Sequence, residues 1–282
     1  MKSVILPLTR ESNWKMLSET AAKLTAKFDA DVTGLFVRRD PKTAIPLLGE
    51  GLTAEMIQQM CDATEAEGQR YAGEAKEAFT AAMTAAGVNA SDESSVGGAH
   101  WRTVVGDIVD HVGRSARTAD FAICERPAEK YSAQSEIFND LVFRSGRSVL
   151  MVPDNGHIPS LDHMLIAWNG RAECARAVGG ALPLLRKAKK VSVLQIGDLG
   201  EDRPVIDDIV KYLTIHSIES TSIQEPSGSS SVGEAVYAKA QEIDADSIVI
   251  GAFSTARWRE LLLGGVTRFL IENSDIPIYM SH

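Results

Sequence analysis

Short apolar runs and stretches of helical period alternate along this chain. Val4-Ile5-Leu6-Pro7 leads through a polar turn to Trp14, Leu17, Ala21, Leu24 and Phe28, spaced three and four apart. Such spacing lines one face of a helix with apolar groups, and that face must lie against something apolar. The run Val32–Val37 follows, and after a longer helical region come Phe121–Cys124 and Val149–Val152. The plan then restarts. Met164–Ala167 precedes a helical face of Cys174, Val178, Leu182 and Leu185, followed by the runs Val191–Ile196, Ser247–Ile250 and Ile276–Met280. An Ala-Asp step stands before both Phe121 and Ser247.

Strands alternating with helices predict right-handed βαβ units and a parallel sheet. Parallel strands are buried on both faces, which accounts for continuous apolar runs in place of alternation. The repetition predicts two copies of one α/β unit, residues 1–153 and 160–282, joined through the turn-forming stretch Pro153–Pro159. The first copy carries a longer middle insert over residues 41–60. Pro277 lacks a ladder donor, so a strand start or an edge is its expected place.

Composition narrows the partners. The chain has 282 residues, enough for two domains with cores of their own, and its net charge of −9 argues against a general polyanion binder. No stretch approaches the ~20 apolar residues of a membrane span, and the N-terminal apolar run is too short for a signal-peptide core. Cys61, Cys124 and Cys174 are scattered, without zinc or disulfide spacing, so a reduced cytoplasm is the expected setting. Neither nucleic acid nor a membrane is expected as a partner.

One segment carries candidate chemistry. Gly251-Ala252-Phe253-Ser254 is followed by nine residues, TARWRELLL, and then by Gly264-Gly265-Val266-Thr267. It follows a strand and enters a helix, where glycines let the backbone approach a phosphate and helix-start amides point at an anion. This spacing resembles the phosphate loop of the ATP-binding universal stress proteins, and the tandem plan resembles that family over nearly the whole chain. The resemblance implies two tandem Rossmann-like or flavodoxin-like domains, each with a five-stranded, mainly parallel sheet flanked by helices. It also implies that the last strands of the two copies pair within one chain as a pseudo-dimer, with a homo-oligomer of such units left open.

For the second copy the resemblance implies an ATP or related nucleotide site formed by Ala167, Asn169, Ile196, Ile250, Gly251, Ser254, Gly264, Gly265, Val266 and Thr267. Ser254 stands where a second glycine is usual, Gly265 where a hydroxyl is usual, and Asn169 where Asp is usual. In the first copy Glu125 replaces Gly251, Thr9 replaces Asn169, Ser135 and Glu136 stand for Gly264 and Gly265, and the loop is three residues shorter. That copy is expected to be silent. The expected role is a stress-response binding protein that holds nucleotide in its second domain. A nucleotide-free adaptor binding protein partners is the alternative, and a slow ATP hydrolase ranks last because no Walker lysine is present. No catalytic or metal-binding residue is assigned.

Other residues carry two readings each. Arg257 and Arg259 could contact phosphate or simply face solvent. Trp258 could cover a ligand, and packing against the neighbouring domain is favoured. Trp168 could border an adenine pocket or pack. His157, Asp162 and His163 near the linker lack a third neutral ligand and are expected to be solvated. His111 is expected on a helix before the fourth strand, and Arg186, Lys187, Lys189 and Lys190 at a helix end, where cations suit the dipole.

Overall fold

A computed structural model describes residues 2–44, 53–91, 98–127, 132–156, 158–253 and 265–282. In the first half, β1 (Ser3–Leu8), α1 (Trp14–Phe28) and β2 (Asp31–Arg38) lead to a 32-residue helix α2 (Ala54–Ala85). Then come β3 (Ala90–Ser91), β4 (Ala99–Val105), α3 (Ile108–Ala116), β5 (Phe121–Glu125), α4 (Ala133–Arg144) and β6 (Ser148–Val152). The second half runs β7 (His163–Ala167), α5 (Ala172–Leu185), β8 (Lys190–Ile196), α6 (Ile206–Ile215) and β9 (Thr221–Glu225). It ends with α7 (Val232–Glu242), β10 (Ser247–Gly251), α8 (Gly265–Asn273) and β11 (Ile278–Ser281).

The strands form one eleven-stranded sheet in the order β3-β4-β2-β1-β5-β6-β11-β10-β7-β8-β9. Setting aside the two-residue β3, both halves follow the same order about their first strand, so the expected doubly wound plan is present twice. The two sets of strands do not stand apart as separate sheets. They merge where β6 and β11 pair antiparallel, with Leu150 opposite Tyr279, and every other pairing is parallel. Pairing the last strands buries what would otherwise be two unpaired edges. Pro277 precedes β11, and its carbonyl accepts from the Ile248 amide.

Two apolar layers cover the sheet. Successive residues point to opposite faces, so Val4 and Leu6 join the layer under α1, α2, α5 and α6, and Ile5 joins that under α3, α4, α7 and α8. Local signals set the helix ends. The side chains of Asn13, Thr53, Asp107, Ser132 and Ser231 accept amides at the starts of α1, α2, α3, α4 and α7. α6 lacks such a residue; the buried Gln195 side chain accepts its Ile206 amide instead, 2.9 Å away. No helix among the described residues is long and apolar enough to cross a membrane.

Candidate functional site

In an open α/β sheet the crevice forms at the carboxyl ends of the strands, where the strand order reverses. In the second half that point lies between β7 and β10, which are neighbours in the sheet. Ala167 ends β7, Ile196 ends β8, Ile250 and Gly251 end β10, and Gly265, Val266 and Thr267 open α8. The described candidates therefore gather at one end of the sheet. Ser254 and Gly264 lie outside the described residues, as do Arg257, Trp258 and Arg259.

The turn after β7 is built on its own side chains. The Asn169 carboxamide oxygen accepts the Arg171 amide at 3.0 Å, and Gly170 turns the chain with φ of 68°. A Cβ on Gly170 would lie 2.8 Å from the Arg203 side chain and 2.9 Å from the Pro204 carbonyl. The loop before α6 thus lies directly on this turn. Trp168 is buried and donates its indole N–H to the same Pro204 carbonyl at 2.9 Å, which settles its place as packing. Arg171 is the only cation of this turn and was missed in the sequence; a positive residue between the strand and helix was its signal.

Gly251 has a structural reason to be glycine. A Cβ there would lie 2.4 Å from the Cys174 backbone nitrogen and 2.8 Å from the Glu173 carbonyl carbon, so α5 could not approach β10. Phe253 follows in the left-handed region, with φ of 52°, and its amide donates to the Thr267 hydroxyl at 3.4 Å. Its ring packs 5.0 Å from Phe143 of α4, bridging the two halves. Thr267 is buried and Val266 half-buried, whereas Gly265 is exposed, with no described atom within 4 Å of where a Cβ would stand. Ile196 and Ala167 are half-buried against the layer that holds Ile250.

Ladder register identifies the equivalent places in the first half. Val4 pairs with Phe121 and Met164 with Ser247, so Glu125 corresponds to Gly251 and Thr9 to Asn169. Glu125 accepts the Asn13 amide at 3.3 Å, and Glu11 accepts the Ala133 amide at the start of α4 at 3.4 Å. The Gln134 side chain donates to the Glu11 carbonyl at 2.8 Å. Burial pushes the Glu125 carboxyl above its ordinary range, and the Asp154 charge adds to this.

Above them lies α2. Trp14 packs between Phe36 (6.5 Å) and Tyr71 of α2 (6.0 Å), while Arg38 pairs with Glu65 at 2.7 Å and Arg10 with Glu67 at 3.3 Å. Two carboxylates of the chain itself, Glu11 and Glu125, thus accept helix-start amides at this end of the first half.

The linker residues are engaged elsewhere. Asp162 is held by Lys27 at 2.8 Å and Lys189 at 2.7 Å, and these ammonium groups lower its carboxyl to about 2. His163 bonds to Ser192 and to the Asp244 carbonyl, and its pKa is lowered, first by burial. His157 lies outside the described residues, and His111 sits on α3 before β5.

A shallow depression of about 540 Å³ also opens at the carboxyl ends of β8 and β9. Asp198 and Glu225 line it, with Glu225 paired to Lys239 at 2.6 Å. It lies one strand away from the crevice, and its carboxylates make it a poor seat for phosphate.

No protein-family model matches the sequence, and no curated protein does. Solved structures do. A universal stress protein from Archaeoglobus fulgidus DSM 4304 superposes with a TM-score of 0.69 at 17% identity, covering 98% of this chain and 97% of the other. A universal-stress-protein candidate from Pseudomonas aeruginosa UCBPP-PA14 gives 0.55 at 10% identity over 99% and 92%. A protein of unknown function from Pseudomonas aeruginosa PAO1 gives 0.56 at the same identity and coverage. Along nearly its whole length, the chain has the fold of the Archaeoglobus universal stress protein.

Proposed function

We propose that this chain is a nucleotide-binding regulatory protein of the universal stress type, acting in the cytoplasm and holding ATP or a related nucleotide in its second half. The observation that carries this reading is the contrast between the start of α4 and the first described residues of α8. At α4 the chain supplies its own carboxylate, Glu11, to the helix-start amide. At α8 Gly265 faces open space among the described residues, and the turn nearby bears Arg171 in place of an acid. Glycine near a helix start suits phosphate oxygens, and Arg171 stands in the chain where the first half has Glu11.

The role is binding, with no turnover proposed. The alternative, a nucleotide-free adaptor, draws on Asn169 and Thr267, whose oxygens already accept hydrogen bonds from the chain. Chromatography and mass spectrometry of nucleotide released on denaturation, followed by ATP titration, separate the two. Binding predicts one nucleotide per chain. Gly265→Asp should then weaken affinity tenfold or more, about 1.4 kcal/mol, with Ser135→Asp leaving it unchanged. No nucleotide and no binding on titration would favour the adaptor.

A further inference from the structure

At one end of the sheet lies β3, described over Ala90–Ser91 beside β4. At the other, β9 is outermost, and among the described residues it pairs on one side only, with β8. Strand edges in monomeric proteins are blunted by shortness, by Lys or by Pro within the strand. β9 has five residues, Thr-Ser-Ile-Gln-Glu, with neither Lys nor Pro among them. Its one charge, Glu225, is neutralised by Lys239. The adjoining helix α6, packed on β8 and β9, leaves Tyr212 38% and Ile215 73% exposed.

The register of β9 fixes which groups are free. The Glu225 carbonyl accepts the Gly197 amide on the β8 side, at 2.7 Å. In a parallel ladder the N–H and C=O of one residue point to the same neighbour and those of the next residue point away. The backbone groups of Thr221, Ile223 and Glu225 therefore face β8, and those of Ser222 and Gln224 face outward. An antiparallel copy of β9 placed across a two-fold axis through Ile223 uses every outward group of the strand. Ser222 then exchanges two hydrogen bonds with Gln224 of the second copy, and the reverse. Ile223 meets its own counterpart in the close, non-hydrogen-bonded position, about 4.5 Å between Cα atoms. Thr221 faces Glu225. No like charges oppose one another, and apolar stands against apolar.

We propose that β9 is a homodimerisation edge, joining two chains into one sheet through an antiparallel β9–β9 pair centred on Ile223. This is independent of whether nucleotide binds. Light scattering across a concentration series should show the mass rising from one chain to two. Gln224→Pro removes one outward amide without touching the β8 ladder, so it should keep the circular-dichroism spectrum of the folded parent and hold the mass at one chain. Ile223→Cys should form a disulfide dimer under mild oxidation, reversed by reductant, that the parent does not form.

A parent that keeps the mass of one chain at every concentration overturns the proposal. So does a dimer that survives Gln224→Pro, or one in which Ile223→Cys fails to cross-link.

Discussion

The carboxyl end of β1 and the carboxyl end of β7 occupy equivalent places in the two halves, yet among the described residues they are furnished differently. Around β1, Glu11 and Glu125 hold the amides at the starts of α4 and α1, and α2 packs beside them, its Tyr71, Glu65 and Glu67 meeting Trp14, Arg38 and Arg10. Around β7, the second half has only the ten-residue α6 where the first has the 32-residue α2. Its equivalent of Glu125 is Gly251, which α5 approaches to within contact of the backbone. In the first half the helix-start amides of α4 and α1 are thus met by carboxylates of the chain itself, whereas the equivalent of Glu125 in the second half is a glycine that admits α5.

The difference can be broken at its strongest point first. Gly251→Val should destabilise by about 3 kcal/mol, because the added carbons meet the backbone of α5, which cannot rotate away. Chemical denaturation would register it. If the melt is unchanged, the close approach of α5 and β10 is wrong. Trp14→Ala should cost about 2 kcal/mol and speed hydrogen exchange in the middle of α2 around Tyr71, since Trp14 joins that helix to β2. Unaltered exchange there would mean that α2 is not held by Trp14.

Glu11→Ala tests the internal anion and should cost about 1 kcal/mol, the usual value of a capping acceptor. The smallest effect has the opposite sign. Because burial raises the Glu125 carboxyl, the folded chain holds that proton more tightly than the unfolded chain does. Glu125 therefore costs stability once pH exceeds its folded pKa. Glu125→Gln should raise the melting midpoint at neutral pH, and the gain should vanish as pH falls below the ordinary carboxylate range. A gain that persists in acid would assign the effect to something other than charge.

Much of the fold was legible because it depends on burial pattern. Runs such as Val4–Pro7 and Val191–Ile196 have to be covered on both faces, and only a parallel sheet between helices does that. The third strand of each half, β4 and β9, escaped notice for the converse reason. Thr221–Glu225 is almost wholly exposed, and Ala99–Val105 carries His100, Arg102 and Thr103, so neither has an apolar run. Strands near an edge are set by backbone pairing with a neighbour, which leaves little mark on side-chain pattern.

The site divides along the same line. The glycines at 251 and 265 stand out in the sequence, but only packing separates them: Gly251 admits α5, whereas no described atom lies within 4 Å of a Cβ at Gly265. Asn169 and Thr267 are expected to be ligand contacts because the family resemblance implies it. In the folded chain both oxygens are engaged by the Arg171 and Phe253 amides. The sequence determined the doubled α/β plan and the place of the crevice, since periodicity and chain order are local properties. Which helix-start amides the chain's own carboxylates meet, which glycine is structural, and the merging of the two strand sets through β6 and β11 were decided by tertiary structure. Each depends on contacts between residues far apart in the chain, and the energy of such contacts is absent from any local pattern.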